Sequence, residues 1–141
     1  MLLQLLVGGA VSVCNIVVHA SVMTTLIAMV RKRTIGAVVS FRTLIEVMIV
    51  TVVIFMMAHT TEVFVWSIAY RMLDVAQGDL FYFAFVNYTT LGYGDITPSP
   101  EWRLLGPLTA MNGVLMSGWS TAVIFEILRR VLAQMPPPAK G

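Results

Sequence analysis

Three long stretches almost free of charged side chains constrain this chain more than any other feature. Residues 1–30 contain no Asp, Glu, Lys or Arg. At 1.5 Å rise per residue, a helix of that length measures about 45 Å, more than the roughly 30 Å hydrocarbon core of a bilayer. The segment reads as a tilted spanning helix. A second apolar stretch, 43–70, is interrupted by Glu46 near its start and Glu62 towards its end. A third, 104–125, carries no Asp, Glu, Lys or Arg and closes at Glu126 and Arg129-Arg130. A cleaved secretory leader fits the first stretch poorly, because a basic beginning is missing and the apolar run is too long.

Composition agrees with lipid as the principal solvent and the bilayer as the first partner. With 58% hydrophobic and 11% charged residues, the chain has too few polar groups to coat a water-soluble globule. The net charge of +2 is scattered, which excludes the basic stripe of a nucleic-acid-binding protein. The single cysteine, Cys14, cannot form an intrachain disulfide and is expected to be a small buried hydrophobe.

Between the second and third stretches, residues 80–91 are apolar and aromatic but too short to cross. Such a segment enters and turns back. Irregular backbone cannot face lipid, so the loop that follows must be enclosed by protein or line water. Gly78-Asp79 precedes the short helix, and the Asp79 carboxylate suits its free N–H groups and the positive end of its dipole. The negative end then points towards the bilayer centre, where it favours a cation over an anion.

The basic residues set orientation, since cytoplasmic flanks collect Lys and Arg. Arg31, Lys32, Arg33 and Arg42 place the 31–42 loop in the cytoplasm, and Arg129, Arg130 and Lys140 place the 131–141 tail there. The segment with Asp74, Asp79, Asp95 and Glu101 lies outside, and so does the amino terminus. Arg31 to Arg33 are adjacent rather than spaced along a spanning helix, so they read as an interfacial anchor and not a voltage sensor. Residues 34–41 are a candidate interfacial segment, and Pro136-Pro137-Pro138 suits an extended stub. Ser99-Pro100-Glu101 supplies a cap, an N1 proline and an early acid for the third helix.

The string Thr90-Leu91-Gly92-Tyr93-Gly94-Asp95 resembles the Thr-Val-Gly-Tyr-Gly-Asp filter of potassium channels, matching five of six positions. The resemblance covers about residues 43–130 and is closest to the two-helix pore class of small bacterial channels. It implies an all-α membrane protein with three spanning helices, a re-entrant pore helix and a filter loop. Its parts are an outer helix at 43–70, a pore helix at 79–90, a filter at 90–95 and an inner helix at 100–128. Four copies would assemble as a homotetramer in a bacterial inner membrane, with K+ as permeant ion, no cofactor and no enzymatic step. By the same resemblance, the ion ligands are the carbonyls of Thr90, Leu91, Gly92 and Tyr93, with the Thr90 hydroxyl closing the innermost position. Gly94 and Asp95 support the loop, and the Tyr93 side chain braces it against the pore helix.

Gly92 and Gly94 can take positive φ at little steric cost, which lets successive carbonyls aim inwards. Leu91 replaces the usual valine, but its carbonyl is the working group. Val86 stands where some relatives place a glutamate that contacts the filter aspartate, so Asp95 needs another partner, Tyr82 or Trp102. A non-selective cation channel and an accessory subunit of a separate transporter are the rival readings, and a regulatory partner stays open.

In the third helix, Val114, Ser117, Thr121 and Phe125 recur at spacings of three or four and share a face. Resemblance makes Gly113 the hinge glycine and turns that face to the ion pathway, with Phe125 as an inner constriction. The plainer alternatives are that Gly113 and Gly118 permit close packing and that Phe125 faces lipid. His59 and Glu62 share a helix face near the outer boundary, where a polar contact behind the pore helix is the first reading and proton sensing or metal binding the rarer ones. His19 reads as a packed, hydrogen-bonding residue.

Overall fold

The computed structural model describes residues 1–36 and 38–136 as four α-helices, α1 (Leu2–Thr34), α2 (Phe41–Met72), α3 (Leu80–Tyr88) and α4 (Leu105–Leu132). Pro137, Pro138 and Lys140, assigned above to the tail, lie outside the described residues. Three helical stretches are long and apolar enough to cross a membrane: Leu2–Thr34, Phe41–Met72 and Pro100–Leu132. α3, at nine residues, is not.

Cross-helix bonds fix the directions. From Arg33–Glu46 to His19–Glu62, residue numbers fall along α1 as they rise along α2, so these two are antiparallel. His59–Ser120 and Trp66–Asn112 give the same relation between α2 and α4. α1 and α4 therefore run parallel, and their basic carboxyl ends lie together. There Arg31, Arg129 and Arg130 line one crevice with Glu126.

The boundaries have local causes. Arg31, Lys32 and Arg33 occupy the last turn of α1, where positive charge complements the helix dipole, and are not in the loop. The connection breaks at Ile35, which is extended, and Gly36, whose φ of +72° favours glycine. Ser40 caps α2 by accepting a hydrogen bond from Thr43 N at 3.2 Å. The described residues of 35–40 thus form a turn and an extended lead, not an interfacial helix.

The third span begins differently from the expected cap. Ser99 makes no side-chain cap bond; its carbonyl accepts Trp102 N at 2.9 Å, closing a single 3-10 turn over Pro100–Trp102. The α-helix proper starts only at Leu105.

Two apolar clusters hold the helices together. One gathers Met23, Leu26, Val47, Phe55, Val123 and Ile127 towards the basic end. The other gathers Val63, Trp66, Tyr70, Phe83, Leu105 and Met116 around α3. Leu3, Leu6, Val13 and Val17 on α1 and Val52, Val53, Met56 and Met57 on α2 are exposed, as lipid-facing positions should be. Cys14 belongs to that outer surface, so the expectation of a buried cysteine is corrected: at this register α1 buries Asn15 and turns its neighbour outward.

Candidate functional site

The short helix α3 is anchored at its first turn. Asp79 Oδ1 accepts from Phe81 N and Tyr82 N, each at 3.0 Å, which satisfies two otherwise free donors. The Phe83 ring packs on Tyr70 of α2 at a centroid separation of 5.1 Å. At the other end the backbone of α3 passes directly over α4. A Cβ on Gly113 would stand 2.9 Å from the Tyr88 carbonyl carbon and closer still to its oxygen. Gly113 is therefore a close-approach glycine within a continuous α4, and no bend there is needed to explain it. Gly118 has open space around it, so packing within the chain does not require it.

The loop after α3 is tied back to carbonyls of its last turn, beginning with Asn87, which receives Thr90 N at 2.9 Å. The Val86 carbonyl receives Leu91 N at 3.0 Å and Gly92 N at 3.3 Å. Beyond that point φ is positive at Thr90 (+63°), Gly92 (+58°) and Gly94 (+76°), but not at Leu91, Tyr93 or Asp95. For Thr90 this is a strained region that an L side chain seldom occupies. Residues 89–95 are all exposed in the single chain.

Asp95 finds the first of its two expected partners. Tyr82 donates its hydroxyl to Asp95 Oδ2 at 2.8 Å, and Ile96 N donates to Oδ1 at 3.1 Å. Because the Tyr82 proton serves an anionic acceptor, its ionisation is pushed above the ordinary tyrosine value of 10.0. Tyr93 departs from expectation. Its side chain is 67% exposed and does not brace the loop against its own pore helix, because the chain puts no wall beside it.

On α4, Val114, Ser117, Thr121 and Phe125 are all exposed along one face, with Val114 and Phe125 at 59% and 67%. Neither α1 nor α2 covers them. The Thr121 hydroxyl donates to the Ser117 carbonyl at 2.9 Å, leaving its lone pairs facing outward.

The groups that sequence reasoning left scattered form a polar layer between the two apolar clusters. Glu62 is fully buried about 15 Å from the end of α2, not near the outer boundary, because ten further residues of helix follow it. His19 Nδ1 lies 2.7 Å from Glu62 Oε1, and Tyr88, the last residue of α3, donates its hydroxyl to Oε2. His59 Nδ1 meets the Tyr88 hydroxyl at 2.9 Å. The Nε2 atoms of His59 and His19 both converge on Ser120 Oγ, at 3.0 and 3.3 Å. One level above, Asn112 Oδ1 accepts from Asn15 Nδ2 and Trp66 Nε1, each at 3.0 Å. Nearer the amino end of α1, Gln4 Oε1 accepts from Leu104 N at 3.0 Å.

Tyr88, Ser120, Asn15, Asn112 and Gln4 were not singled out from sequence. A signal existed: Gln4, Asn15 and His19 lie on one stripe with Gly8, Met23, Leu26 and Val30, at the spacing of a buried helix face. Polar side chains inside a spanning helix face the protein interior, so this stripe marked how the first helix docks.

A comparison with protein families matches residues 42–130 to a family described as ion channel. That span exceeds half of the chain, and the chain belongs to the ion channel family. It is a multi-pass, all-helical membrane protein with three spanning helices and an ion channel domain. No curated protein and no solved structure matches it.

Proposed function

We propose that the chain is one subunit of a potassium-selective channel that conducts passively as a homotetramer. The alternating sign of φ at residues 90–94 carries this reading. In a regular strand, groups on successive residues point to opposite sides, and reversing every second residue turns successive carbonyls towards one side. Four such rows around an axis replace the water of a dehydrated potassium ion, through the carbonyls of Thr90, Leu91, Gly92 and Tyr93. The Thr90 strain and the two glycines are what such a row costs.

Exposure supports the tetramer. Residues 89–95 cannot lie bare in lipid, because each unpaired backbone group there costs several kcal/mol. Neighbouring copies and a central water-filled path enclose them in this reading. Tyr93 then braces against an adjacent subunit, and the Val114, Ser117, Thr121 and Phe125 face lines the path below the filter. Tyr82 holds Asp95 at the outer mouth, while the basic ends of α1 and α4 face the cytoplasm and the amino terminus lies outside. The setting we infer is a bacterial inner membrane.

Purified chain in liposomes, held under a potassium/sodium gradient, tests the proposal. Currents reversing near the potassium potential are expected. Comparable permeability to the two ions points to a non-selective channel, and absence of current to an accessory subunit.

A further inference from the structure

A carboxylate fully buried in a spanning helix must either take up a proton or be paired with a cation, and residues 1–30, 43–70 and 104–125 contain no Lys or Arg to supply a fixed one. The groups facing Glu62 are His19 from α1, His59 from α2 and Tyr88 from α3, with Ser120 of α4 behind both rings. A proton count shows what an ionised Glu62 would require of the layer. Five hydrogen-bond contacts join these five side chains: His19–Glu62, Tyr88–Glu62, His59–Tyr88, His59–Ser120 and His19–Ser120. With Glu62 ionised and both imidazoles neutral, only four protons serve those five contacts, one from each of the other side chains. In that state one contact has lone pairs on both sides and the layer carries a net negative charge, which either one further proton or a bound cation would offset.

The geometry says where positive charge would sit. The ligand atoms of His19, His59 and Glu62 all lie within 4.8 Å of one another. Both rings turn Nδ1 towards Glu62, at 2.7 and 3.3 Å, and the Tyr88 hydroxyl joins them from the fourth side. Both turn Nε2 to the same oxygen, Ser120 Oγ. A metal-bound imidazole donates its other N–H to an acceptor that orients the ring, and one hydroxyl oxygen has two lone pairs for two such donors. A metal at the Nδ1 side therefore repairs the count: both rings become Nε2–H donors to Ser120, and the anionic side gains its cation.

We propose that His19, His59, Glu62 and Tyr88 form a binding site for a divalent transition-metal ion of the zinc class, which ties α1 to the pore helix. Two imidazoles, a carboxylate and a phenol oxygen suit zinc, whereas magnesium and calcium prefer all-oxygen sets. Tetrahedral bonds of about 2.0–2.2 Å set neighbouring ligand atoms roughly 3.3 Å apart. The His59–Glu62 pair already has that separation, at 3.3 Å, while the His19–Glu62 pair opens from 2.7 Å, the His59–Tyr88 pair from 2.9 Å and the Tyr88–Glu62 pair from closer still, so the ligands part as the ion enters. The His59 side chain is 24% exposed in the single chain, so the cluster is not sealed on that side. The site does not depend on which ion the pore selects.

The test uses the full chain in detergent, loaded with zinc chloride, desalted and assayed for metal by mass spectrometry alongside thermal unfolding. One zinc per chain is expected, with a rise in melting temperature that EDTA reverses. His19→Gln and His59→Gln should each abolish both effects. Ser120→Ala keeps every ligand and should weaken zinc binding about tenfold or more by freeing the rings. Three results would overturn the proposal: substoichiometric zinc in the wild type, zinc binding unchanged in His59→Gln or Ser120→Ala, or stabilisation by lowered pH with zinc having no effect. The last would mean that a proton on Glu62 or on one of the two rings balances the layer instead.

Discussion

Replacing Gly113 by alanine separates a close-approach glycine from a hinge. The new Cβ would press on the backbone carbonyl of Tyr88, 2.9 Å from its carbon and closer to its oxygen. Neither atom can swing aside as the end of a flexible side chain would. Overpacking of this kind costs about 1–3 kcal/mol, and with backbone on the receiving side the upper end applies. Alanine returns about 1 kcal/mol through its better helix propensity, which leaves a net loss of about 2 kcal/mol. Gly118→Ala supplies the control, because the same methyl there meets open space and should gain up to about 1 kcal/mol in the chain. The two variants should therefore differ by about 3 kcal/mol, or roughly 10 °C in melting temperature for a chain of this size. Tryptophan fluorescence during thermal unfolding in detergent reads the difference, since Trp66 packs beside Met116 in the cluster that would be displaced. A Gly113→Ala protein as stable as Gly118→Ala, with only its gating altered, would refute the close-approach account and restore the hinge.

Side chains at the outer mouth, in the interior and on the exposed face of α4 can each be tested by substitution. Tyr82→Phe removes the hydroxyl that holds Asp95 at 2.8 Å and should lower open probability in single-channel recordings; unchanged gating would show that Asp95 needs no such tether. Because that tyrosine ionises above 10.0, the bond should be intact at neutral pH and lost only as pH rises through the raised value, so gating that changed between pH 7 and 9 in wild type but not in Tyr82→Phe would contradict it. Asn112→Leu strands the Trp66 indole N–H in the interior, at about 1–3 kcal/mol, leaves the Asn15 amide only the Glu62 backbone carbonyl at 3.3 Å, and should loosen α1 enough for limited proteolysis to detect; wild-type resistance would mean that the Asn15–Asn112 bond does not hold α1. Phe125→Ala, in a background where the exposed Cys14 is replaced by serine, should raise open probability and speed thiol labelling of Ser117→Cys from the cytoplasmic side. Equal labelling with and without the phenyl ring would rule out a constriction at that level.

The spanning helices were legible because a bilayer imposes a length and an apolarity that few sequences meet by accident. The short helix α3 was equally plain, being too short to cross and bounded by Asp79 and a glycine-rich string. Details that depend on a neighbour were not legible. Nothing local distinguishes Gly113, which meets Tyr88, from Gly118, which meets nothing in the chain. Ser99 has the residue type of a helix cap, but its carbonyl closes a 3-10 turn first. Glu62 and His59 show their three-residue spacing in sequence, whereas His19, 43 positions from Glu62, joins them only once α1 is docked. Tyr93 is the opposite case: the support expected of its own chain is absent, and the side chain stands exposed.

The central claim is that the row of backbone carbonyls from Thr90 to Tyr93 selects potassium. It is tested most directly by the reversal potential of the purified chain in planar bilayers, with potassium on one side and sodium on the other. The account predicts a reversal close to the potassium equilibrium potential, and a shift towards zero when Gly92→Ala disturbs the residue whose φ is +58°. A wild-type reversal near zero, with sodium carried as readily as potassium, would contradict it.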